Sequence, residues 1–215
     1  MRVVVPFDPR DPKTRLDAVL GKSERREFAR AMLADVIEAI RGTDTTPEVL
    51  TPVHIDVSGA TTLVDDRPLN RAVNAVLDSS AEPIGVVMAD LPLITASACS
   101  RLLEATGEVV LARGMGGGTN ALVSRHPDFR VDYHDASYLD HLDNAERCGA
   151  SVTEFDSYRF GVDVDEPGDL PEILLHGRGR SDNWLRDAGF RLDTGDGRVA
   201  VERRRETDDI PTVGT

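Results

Sequence analysis

Cysteine is nearly absent from this sequence, since Cys99 and Cys148 are the only two among 215 residues. They show neither the CxxC spacing of a zinc site nor the dense pattern of a disulfide framework. No apolar run approaches the roughly 20 residues that a membrane-spanning helix needs. The first residues, MRVVVPFD, lack the apolar segment of a signal peptide. We therefore expect a cytoplasmic protein without a membrane partner.

Lysine is equally scarce, because Lys13 and Lys22 are the only lysines and arginine supplies the other basic residues. The chain has 38 acidic against 25 basic residues, which gives a net charge of −13. Such an acidic surface disfavours a nucleic-acid partner, which would need a basic patch. The composition is typical of a halophilic, salt-rich cytoplasm, where high ionic strength screens the repulsion.

Several well-known nucleotide and nucleophile motifs are also missing. The pattern GxxxxGK[ST] does not occur, and no glycine precedes Gly21, which excludes a GxGxxG loop after the first predicted strand. No GxSxG elbow is present, and neither cysteine lies in a catalytic motif. The sequence therefore argues against a P-loop enzyme, a dinucleotide-binding fold and a serine or cysteine hydrolase.

Apolar runs alternate with segments of helical periodicity, which favours an α/β fold with a mainly parallel mixed sheet and helices on both faces. The predicted strands are 2–6, 48–53, 60–64, 84–89, 108–112, 120–124, 151–155 and 160–164. The predicted helices run from Ser23 to Gly42 and over 69–77, 95–104, 137–148, 167–175 and 184–188. We expect one domain over residues 1–200 and a flexible polar tail over 201–215.

The loop after the first predicted strand, within VPFDPRDPKTRL, presents Lys13, Thr14 and Arg15. Two cations and a hydroxyl at the open end of a sheet suit a polyphosphate. A solvated surface loop is the simpler interpretation. The near absence of lysine elsewhere argues against that interpretation for Lys13.

Carboxylates follow two other predicted strands. The stretch VVMADLPL delivers Asp90 to the carboxyl edge of the sheet, and GVDVDEPGDL places Asp163 and Asp165 two residues apart on one face of a strand. Carboxylate oxygens at such an edge can hold Mg²⁺ together with phosphates. A turn-capping Asp90 and ordinary exposed carboxylates are the alternatives in so acidic a chain.

The stretch GMGGGTNAL places four glycines within five residues, followed by Thr119 and Asn120. Bare glycine backbone can turn its N–H groups toward an anion. Ser137 can cap the following helix, which carries His141, and His134 lies close before it. Plain turn chemistry and surface histidines are the alternatives. Together these residues indicate a pocket for an acidic ligand.

These stretches, with DDRPLNRAVNAVL and HPDFRVDYHDASYLDH, resemble the 2-phospho-L-lactate guanylyltransferases of the CofC family, of the haloarchaeal kind. They occur in family order over nearly the whole chain up to Gly189. The wider superfamily carries a glycine-rich loop after the first strand, and here VPF with a KTRL loop replaces it. From this departure we expect Lys13 and Arg15, more than glycine amides, to bind the triphosphate.

The resemblance implies a GT-A-type nucleotidyltransferase fold and a step in coenzyme F420 biosynthesis. GTP and (2S)-2-phospholactate would give lactyl-2-diphospho-5′-guanosine and pyrophosphate, with Mg²⁺ as the metal. A homodimer is compatible with the family, although no residue identifies its interface. The residues assigned on this basis are Lys13, Arg15 and Asp90 for catalysis, Asp90, Asp163 and Asp165 for metal, and Thr14, Gly116, Gly117, Gly118, Thr119, Asn120, His134, Ser137 and His141 for substrate.

Three alternatives stay open at this point. The acceptor could be phosphoenolpyruvate, which bacterial relatives use and which differs from phospholactate only in oxidation at two carbons. The protein could be another GT-A nucleotidyltransferase that acts on a sugar phosphate or molybdopterin. It could also be a nucleotide-binding module without catalysis, which would bind nucleotide but show no metal-dependent turnover.

Overall fold

The computed structural model describes residues 1–134, 136–195 and 197–204. Its strands are β1 (Arg2–Pro6), β2 (Pro47–Thr51), β3 (Thr61–Val64), β4 (Ile84–Val87), β5 (Val109–Arg113), β6 (Thr119–Ser124), β7 (Val152–Glu154), β8 (Phe190–Asp193) and β9 (Ala200–Arg203). Its α-helices are α1 (Lys22–Arg41), α2 (Leu69–Asp78), α3 (Ala96–Glu104), α4 (Ser137–Cys148), α5 (Tyr158–Gly161), α6 (Leu170–His176) and α7 (Arg180–Asp187). None of the helices in these ranges is long and apolar enough to cross a bilayer.

Seven strands form the central sheet in the order β3-β2-β1-β4-β6-β5-β7. The pairs β1–β2, β1–β4, β2–β3 and β5–β7 are parallel, whereas β6 runs antiparallel to both β4 and β5. This confirms the predicted mainly parallel mixed sheet. Because β6 is reversed, the turn between β5 and β6 lies at the carboxyl edge of β4.

Apolar side chains cover both faces of the sheet, as the sequence pattern predicts for parallel strands. One face packs against α1 and α3, with Val3, Val36 and Leu102 fully buried. The other packs against α2 and α4 through residues such as Val73 and Ala145. A third cluster joins the far side of α1 to α6, α7 and β8.

The helix boundaries follow local chemistry closely. Gly42 ends α1 and Gly149, with φ 74°, ends α4, both as predicted. Thr95 caps α3 by accepting from the N–H of Ala98 at 3.3 Å. Ser23, the predicted cap of α1, lies inside that helix. The cap is Gly21, whose N–H donates to the Glu24 carboxylate at 2.7 Å.

Two predictions for the last third of the chain are wrong. Residues 160–164 form no strand, because Tyr158–Gly161 is a helical turn and Val162 leads into a loop. The chain also does not become a tail at residue 201, since β8 and β9 pair as an antiparallel hairpin through Arg203. The remainder of that predicted tail, 205–215, lies outside the described residues.

Candidate active site

One edge of the sheet collects the loops that carry most of the predicted site. The loop after β1, the residues after β4 and the turn between β5 and β6 all lie there because of the strand register. The main chain fastens a fourth segment, the loop after α5, to the residues after β4, since the N–H of Val164 donates to the carbonyl of Asp90 at 3.2 Å. Four segments that are distant in sequence therefore meet at one place.

Lys13 lies between two carboxylates at this edge. Its Nζ is 2.6 Å from Asp90 and 2.7 Å from Asp165, and its side chain is only 10% exposed. Burial disfavours the charged form of Lys13, but the two carboxylates outweigh burial and raise its pKa. Lys13 therefore stays a cation across the neutral range. Its ammonium group is the local counter-charge of both acids.

Arg15 lies two residues further along the same loop and is largely exposed. It bonds to Asp165 at 2.5 Å and to Glu166 at 3.3 Å. Thr14, between the two cations, is exposed at the start of a 3-10 turn over Thr14–Leu16. The predicted polyphosphate loop thus places two cations beside acidic groups, and Thr14 lies at its surface.

Asp163 and Asp165 approach Asp90, but a loop carries them and not the predicted strand. Asp169, which the sequence reasoning missed, accepts the main-chain N–H groups of Asp165 and Glu166 at 2.9 and 2.8 Å. This capping carboxylate fixes the segment in place of strand pairing. The signal for it was present in the sequence, because Asp169 follows Glu166 by three residues before a helix.

Asp163 is held by Asn120 at 3.0 Å, and the same amide group donates to the carbonyl of Phe160 at 2.8 Å. Burial raises the pKa of Asp163, and the charges of Asp90 and Asp165 raise it further, although the Asn120 bond opposes the shift. Negative charge is therefore in excess around Asp163. A cation near this carboxylate would be stabilised.

The glycine loop, residues 114–118, connects β5 to β6 and closes on itself through a bond from the Gly114 N–H to the Gly118 carbonyl at 2.8 Å. A Cβ on Gly114 would lie 2.7 Å from the Asn120 amide, so the close approach requires glycine there. Gly117 has φ 85°, a conformation that favours glycine. Around Gly116 and Gly117 a Cβ would meet nothing within 4 Å. Two glycines are therefore needed by the loop itself, and the face at Gly116 and Gly117 is open.

Thr119, Ser137 and His141 lie behind the loop and are at most 4% exposed. Ser137 does not cap α4, because the cap is Ala136, and its Oγ accepts the Thr119 N–H at 3.0 Å. These side chains therefore support the end of the loop from within, and their direct contact with a ligand stays a prediction. His134 is exposed and pairs with Asp132 at 2.5 Å.

Two clefts open at this edge. The first cleft, of about 490 Å³, includes Arg15, Gly116, Gly118, Asp163 and Asp165 in its lining. The second cleft, of about 440 Å³, is bounded by the loop after β1 and the start of α2, and includes Phe7, Thr51, Asp65, Leu69 and Ala72. Lys13 and Asp90 line a smaller hollow of about 190 Å³ that also includes Phe7 and Met88.

A larger cleft, of about 750 Å³, lies on the outer side of α1 and includes Asp35, Arg159 and Arg180 in its lining. It contains none of the predicted site residues. Asp35 there accepts the N–H groups of Arg180 and Ser181, at 2.6 and 3.0 Å, and so anchors the start of α7. Size alone therefore does not identify the site in this fold.

Within residues 1–134, 136–195 and 197–204, no three His, Cys, Asp or Glu side chains are arranged as a ready-made metal site. The Lys13 ammonium instead lies between Asp90 and Asp165, two of the predicted metal ligands. In this charge cluster, Lys13 neutralises two carboxylates, and an anionic ligand could replace either of them as its partner.

Comparisons with known proteins agree in family and in fold. A family model described as "Guanylyl transferase CofC like" matches residues 1–204. The chain is 59% identical to a 2-phospho-L-lactate guanylyltransferase from Halomicrobium mukohataei over 203 residues, which is 94% of this chain and 100% of that protein. It is 54% identical to the Haloferax volcanii enzyme of the same name over 206 residues, 95% of this chain and 100% of that one.

Among solved structures, the chain is similar to a nucleotidyl transferase from Methanothermobacter with a TM-score of 0.55 at 13% identity. The match covers 86% of this chain and 99% of that one. At this identity the likeness supports the nucleotidyltransferase fold alone.

Proposed function

Since the chain belongs to the CofC-like guanylyl transferase family, we propose that it transfers GMP from GTP to (2S)-2-phospholactate, with release of pyrophosphate. The product would be lactyl-2-diphospho-5′-guanosine, an intermediate of coenzyme F420 biosynthesis. The observation that carries the proposal is the position of Lys13 between Asp90 and Asp165, with clefts beside them. Such a cluster of opposite charges suits a reaction between two anions.

In the proposed reaction, a phosphate oxygen of the acceptor attacks the α-phosphorus of GTP. The bond from this phosphorus to the bridging oxygen breaks, and pyrophosphate leaves in line. A phosphate dianion is already nucleophilic at neutral pH, so the protein need not supply a general base. Catalysis then consists mainly of positioning and of charge neutralisation.

Lys13 and Arg15 would stabilise the β- and γ-phosphates in this scheme. Lys13 lines the smaller hollow, and its raised pKa keeps it a cation. Arg15 is exposed enough to turn from Asp165 and Glu166 toward a ligand. Their present carboxylate partners hold both side chains beside the site before GTP binds. Movement of these cations onto phosphate would free the carboxylates.

The donors at this edge fit a divalent cation, which we expect to be Mg²⁺. Asp90, Asp163 and Asp165 offer carboxylate oxygens, the ligands this ion prefers. Burial raises the pKa of Asp163, and the charges of Asp90 and Asp165 raise it further, so a cation bound here would offset that repulsion. Asp90 and Asp163 would hold the ion, and Asp165 would support it. When bound, Mg²⁺ neutralises charge that develops on the transferring phosphates.

The first cleft is the candidate acceptor pocket, and the second is the candidate nucleoside pocket. The main chain at Gly116 and Gly118 lines the first cleft together with Asp163, where a small phosphorylated acid would bind beside the carboxylates. The second cleft combines apolar and polar groups on the other side of Lys13, a mixture that suits a base and ribose. The homodimer stays a prediction.

The experiment combines purified protein, Mg²⁺, GTP and one acid at a time, and measures pyrophosphate release at high salt. We expect release with 2-phospholactate and none when Mg²⁺ is omitted. Pyrophosphate release with phosphoenolpyruvate alone would identify phosphoenolpyruvate as the acceptor instead. Protein that is folded and binds GTP, but releases pyrophosphate with neither acid, would contradict the proposal and favour a different acceptor or a binding module.

A further inference from the structure

His141 is fully buried on α4, and both of its ring nitrogens are engaged. The main-chain N–H of Asp132 donates to Nε2 at 2.9 Å, and Nδ1 lies 2.7 Å from the Thr119 hydroxyl. An N–H group can only donate, so Nε2 must be the unprotonated nitrogen. The neutral ring then carries its proton on Nδ1 and donates it to Thr119. One tautomer is therefore fixed by the surrounding bonds.

The start of α4 holds the end of the glycine loop at two further points. The Tyr138 N–H donates to the Gly117 carbonyl at 3.2 Å, and Ser137 accepts from the Thr119 N–H. Together with His141, these contacts fix the last residues of the loop from one side. The open face of the loop stays directed away from them.

The other end of the His141 link is anchored to α2 through the segment Val131–Tyr133. Asn74 both donates to and accepts from the main chain of Val131, at 3.0 and 2.8 Å. Asn70 accepts the Tyr133 N–H at 2.7 Å and donates to the Asp132 carboxylate at 2.8 Å. The two asparagines lie four residues apart on one face of α2, whose Leu69 and Ala72 line the second cleft.

We infer that His141 is a positioning residue. The segment 131–133 fixes its tautomer, and its Nδ1–H then holds the Thr119 hydroxyl and thereby sets the conformation of the glycine loop. The inference rests on the proposed function, in which this loop receives the acceptor. The bond from the Asp132 N–H also ties the ring to the segment that α2, beside the nucleoside cleft, holds by its main chain. His141 itself touches no substrate.

A histidine that only filled the core would need different neighbours from a positioning residue. Such a ring needs volume and apolar neighbours, which Tyr133 and Phe129 supply at centroid distances of 4.9 and 6.1 Å. It would need neither a fixed tautomer nor a donor at Nδ1. Core filling and positioning can therefore be distinguished by variants that keep either the Nδ1 donor or the Nε2 acceptor and lose the other.

His141→Asn and His141→Gln form a matched pair. The Asn amide nitrogen falls near the position of Nδ1 and keeps a donor for Thr119, whereas Gln reaches toward Asp132 and leaves Thr119 without its donor. We expect His141→Gln to raise the acceptor KM about tenfold while the GTP KM stays within about twofold, and His141→Asn to stay within about threefold for both. His126→Gln, on the loop beyond the opposite end of β6, is the control.

Amide NMR of the same proteins supplies a readout that does not need turnover. We expect His141→Gln to shift the N–H resonances of Gly116, Gly117 and Gly118, and His141→Asn to leave them near their wild-type positions. The wild-type ring should show a protonated Nδ1 and a bare Nε2. The positioning role would be overturned if both variants lost activity equally, or if the KM values for GTP and acceptor rose together. It would also be overturned if the glycine resonances did not move or the ring showed the opposite tautomer. Wild-type protein that releases no pyrophosphate would instead overturn the proposed function, while the NMR arms still decide the role of His141.

Discussion

Lys13 carries backbone strain as well as charge. Its φ of 55° lies in the left-handed region, which non-glycine residues adopt at a cost, and its side chain reaches two acids from distant parts of the chain. Strain of this kind persists where the surroundings hold it, and it concentrates at functional sites. The two carboxylates of Asp90 and Asp165 supply that hold here.

Replacement of Asp90 by Asn tests the carboxylate at the centre of the cluster. Because the amide cannot neutralise a cation, we expect kcat to fall by about 10²- to 10³-fold while the protein stays folded, since Lys13 keeps Asp165 as its partner. Steady-state pyrophosphate release and thermal unfolding measure the two effects. Asp17→Asn, which removes the same charge from an exposed loop position, is the control. Unfolding of the Asp90 variant, or full activity, would refute the assignment.

His141 predicts how stability depends on pH. Burial lowers its pKa in the folded protein to about 4, below the usual value of about 6.5 for an unfolded chain. Between these values the unfolded state binds more protons, so stability is lost as pH falls from about 6.5 toward 4, by up to about 3 kcal/mol. The difference in unfolding free energy between wild type and His141→Asn isolates this histidine from the carboxylates. A difference that does not change over this range would contradict the buried neutral ring.

Asp90 and the Lys13 loop could be predicted at the residue level, because each follows an apolar strand and parallel strands share one carboxyl edge. The direct pairing of Lys13 with Asp90, 77 residues apart, could not be predicted, since side-chain partners depend on tertiary packing. The inward direction of Thr119 and His141 was hidden for the same reason. Polar residues near a glycine loop suggest a ligand, whereas here they bond to one another.

At the scale of elements, the glycine loop is clamped between two helices. Contacts from α4 hold its end, and α5 holds its start through the Gly161 carbonyl, which accepts the Met115 N–H at 2.9 Å. The Phe160 carbonyl on the same helix accepts the Asn120 amide. The short helix α5, whose last two residues fall in the predicted strand over 160–164, therefore serves as one side of the clamp.

Gly114→Ala tests this clamp. The new methyl group would lie 2.7 to 2.9 Å from the Asn120 amide atoms and would displace that side chain from Phe160 and Asp163. We expect the acceptor KM to rise about tenfold and the melting temperature to fall by several degrees, as for about 1 to 3 kcal/mol of overpacking. In Gly116→Ala, where the methyl group meets nothing within 4 Å, the loss of stability should be clearly smaller. Equal effects in the two variants would contradict the packing argument.

Element prediction from sequence succeeded where helical periodicity was clear, as in α1, α2, α3 and α4, although the predicted caps Ser23 and Ser137 lie inside their helices. It failed in the last third of the chain. The apolar residues at 160–164 belong to two separate pieces, since Phe160 packs into one core cluster and Val164 into another. The sequence reasoning also missed the β8–β9 hairpin, although Asp-Gly at 196–197 is a turn signal between its two strands. Arg203 fastens the hairpin to Glu24 of α1 at 2.5 Å.

On the scale of the whole molecule, the net charge of −13 acts against the compact state. The site itself needs cations beside anionic substrates, so Lys13 and Arg15 act against the field of the surrounding surface. Salt screens that field between exposed groups more than it screens the nearly buried Lys13 pairs. High ionic strength should therefore favour folding without dismantling the charge cluster.

Thermal unfolding over a KCl series tests this balance. The screening length falls from about 10 Å at 0.1 M to about 3 Å at 1 M, so we expect the melting temperature to rise with salt over this range. Tetramethylammonium chloride, at the same ionic strength, separates screening from specific binding of potassium. A melting temperature that is flat or falls with both salts would show that surface repulsion does not limit the stability of this protein.

The most direct test of the central claim follows the phosphorus atoms of GTP. The protein is incubated at high salt with Mg²⁺, 2-phospholactate and GTP labelled at either the α- or the γ-phosphorus, and the products are separated. The account predicts that the α-label appears joined to the acceptor and the γ-label appears in pyrophosphate, and that both products form about 10²- to 10³-fold more slowly in Asp90→Asn. A γ-label on the acceptor, or an α-label released as free GMP, would contradict guanylyl transfer at this site.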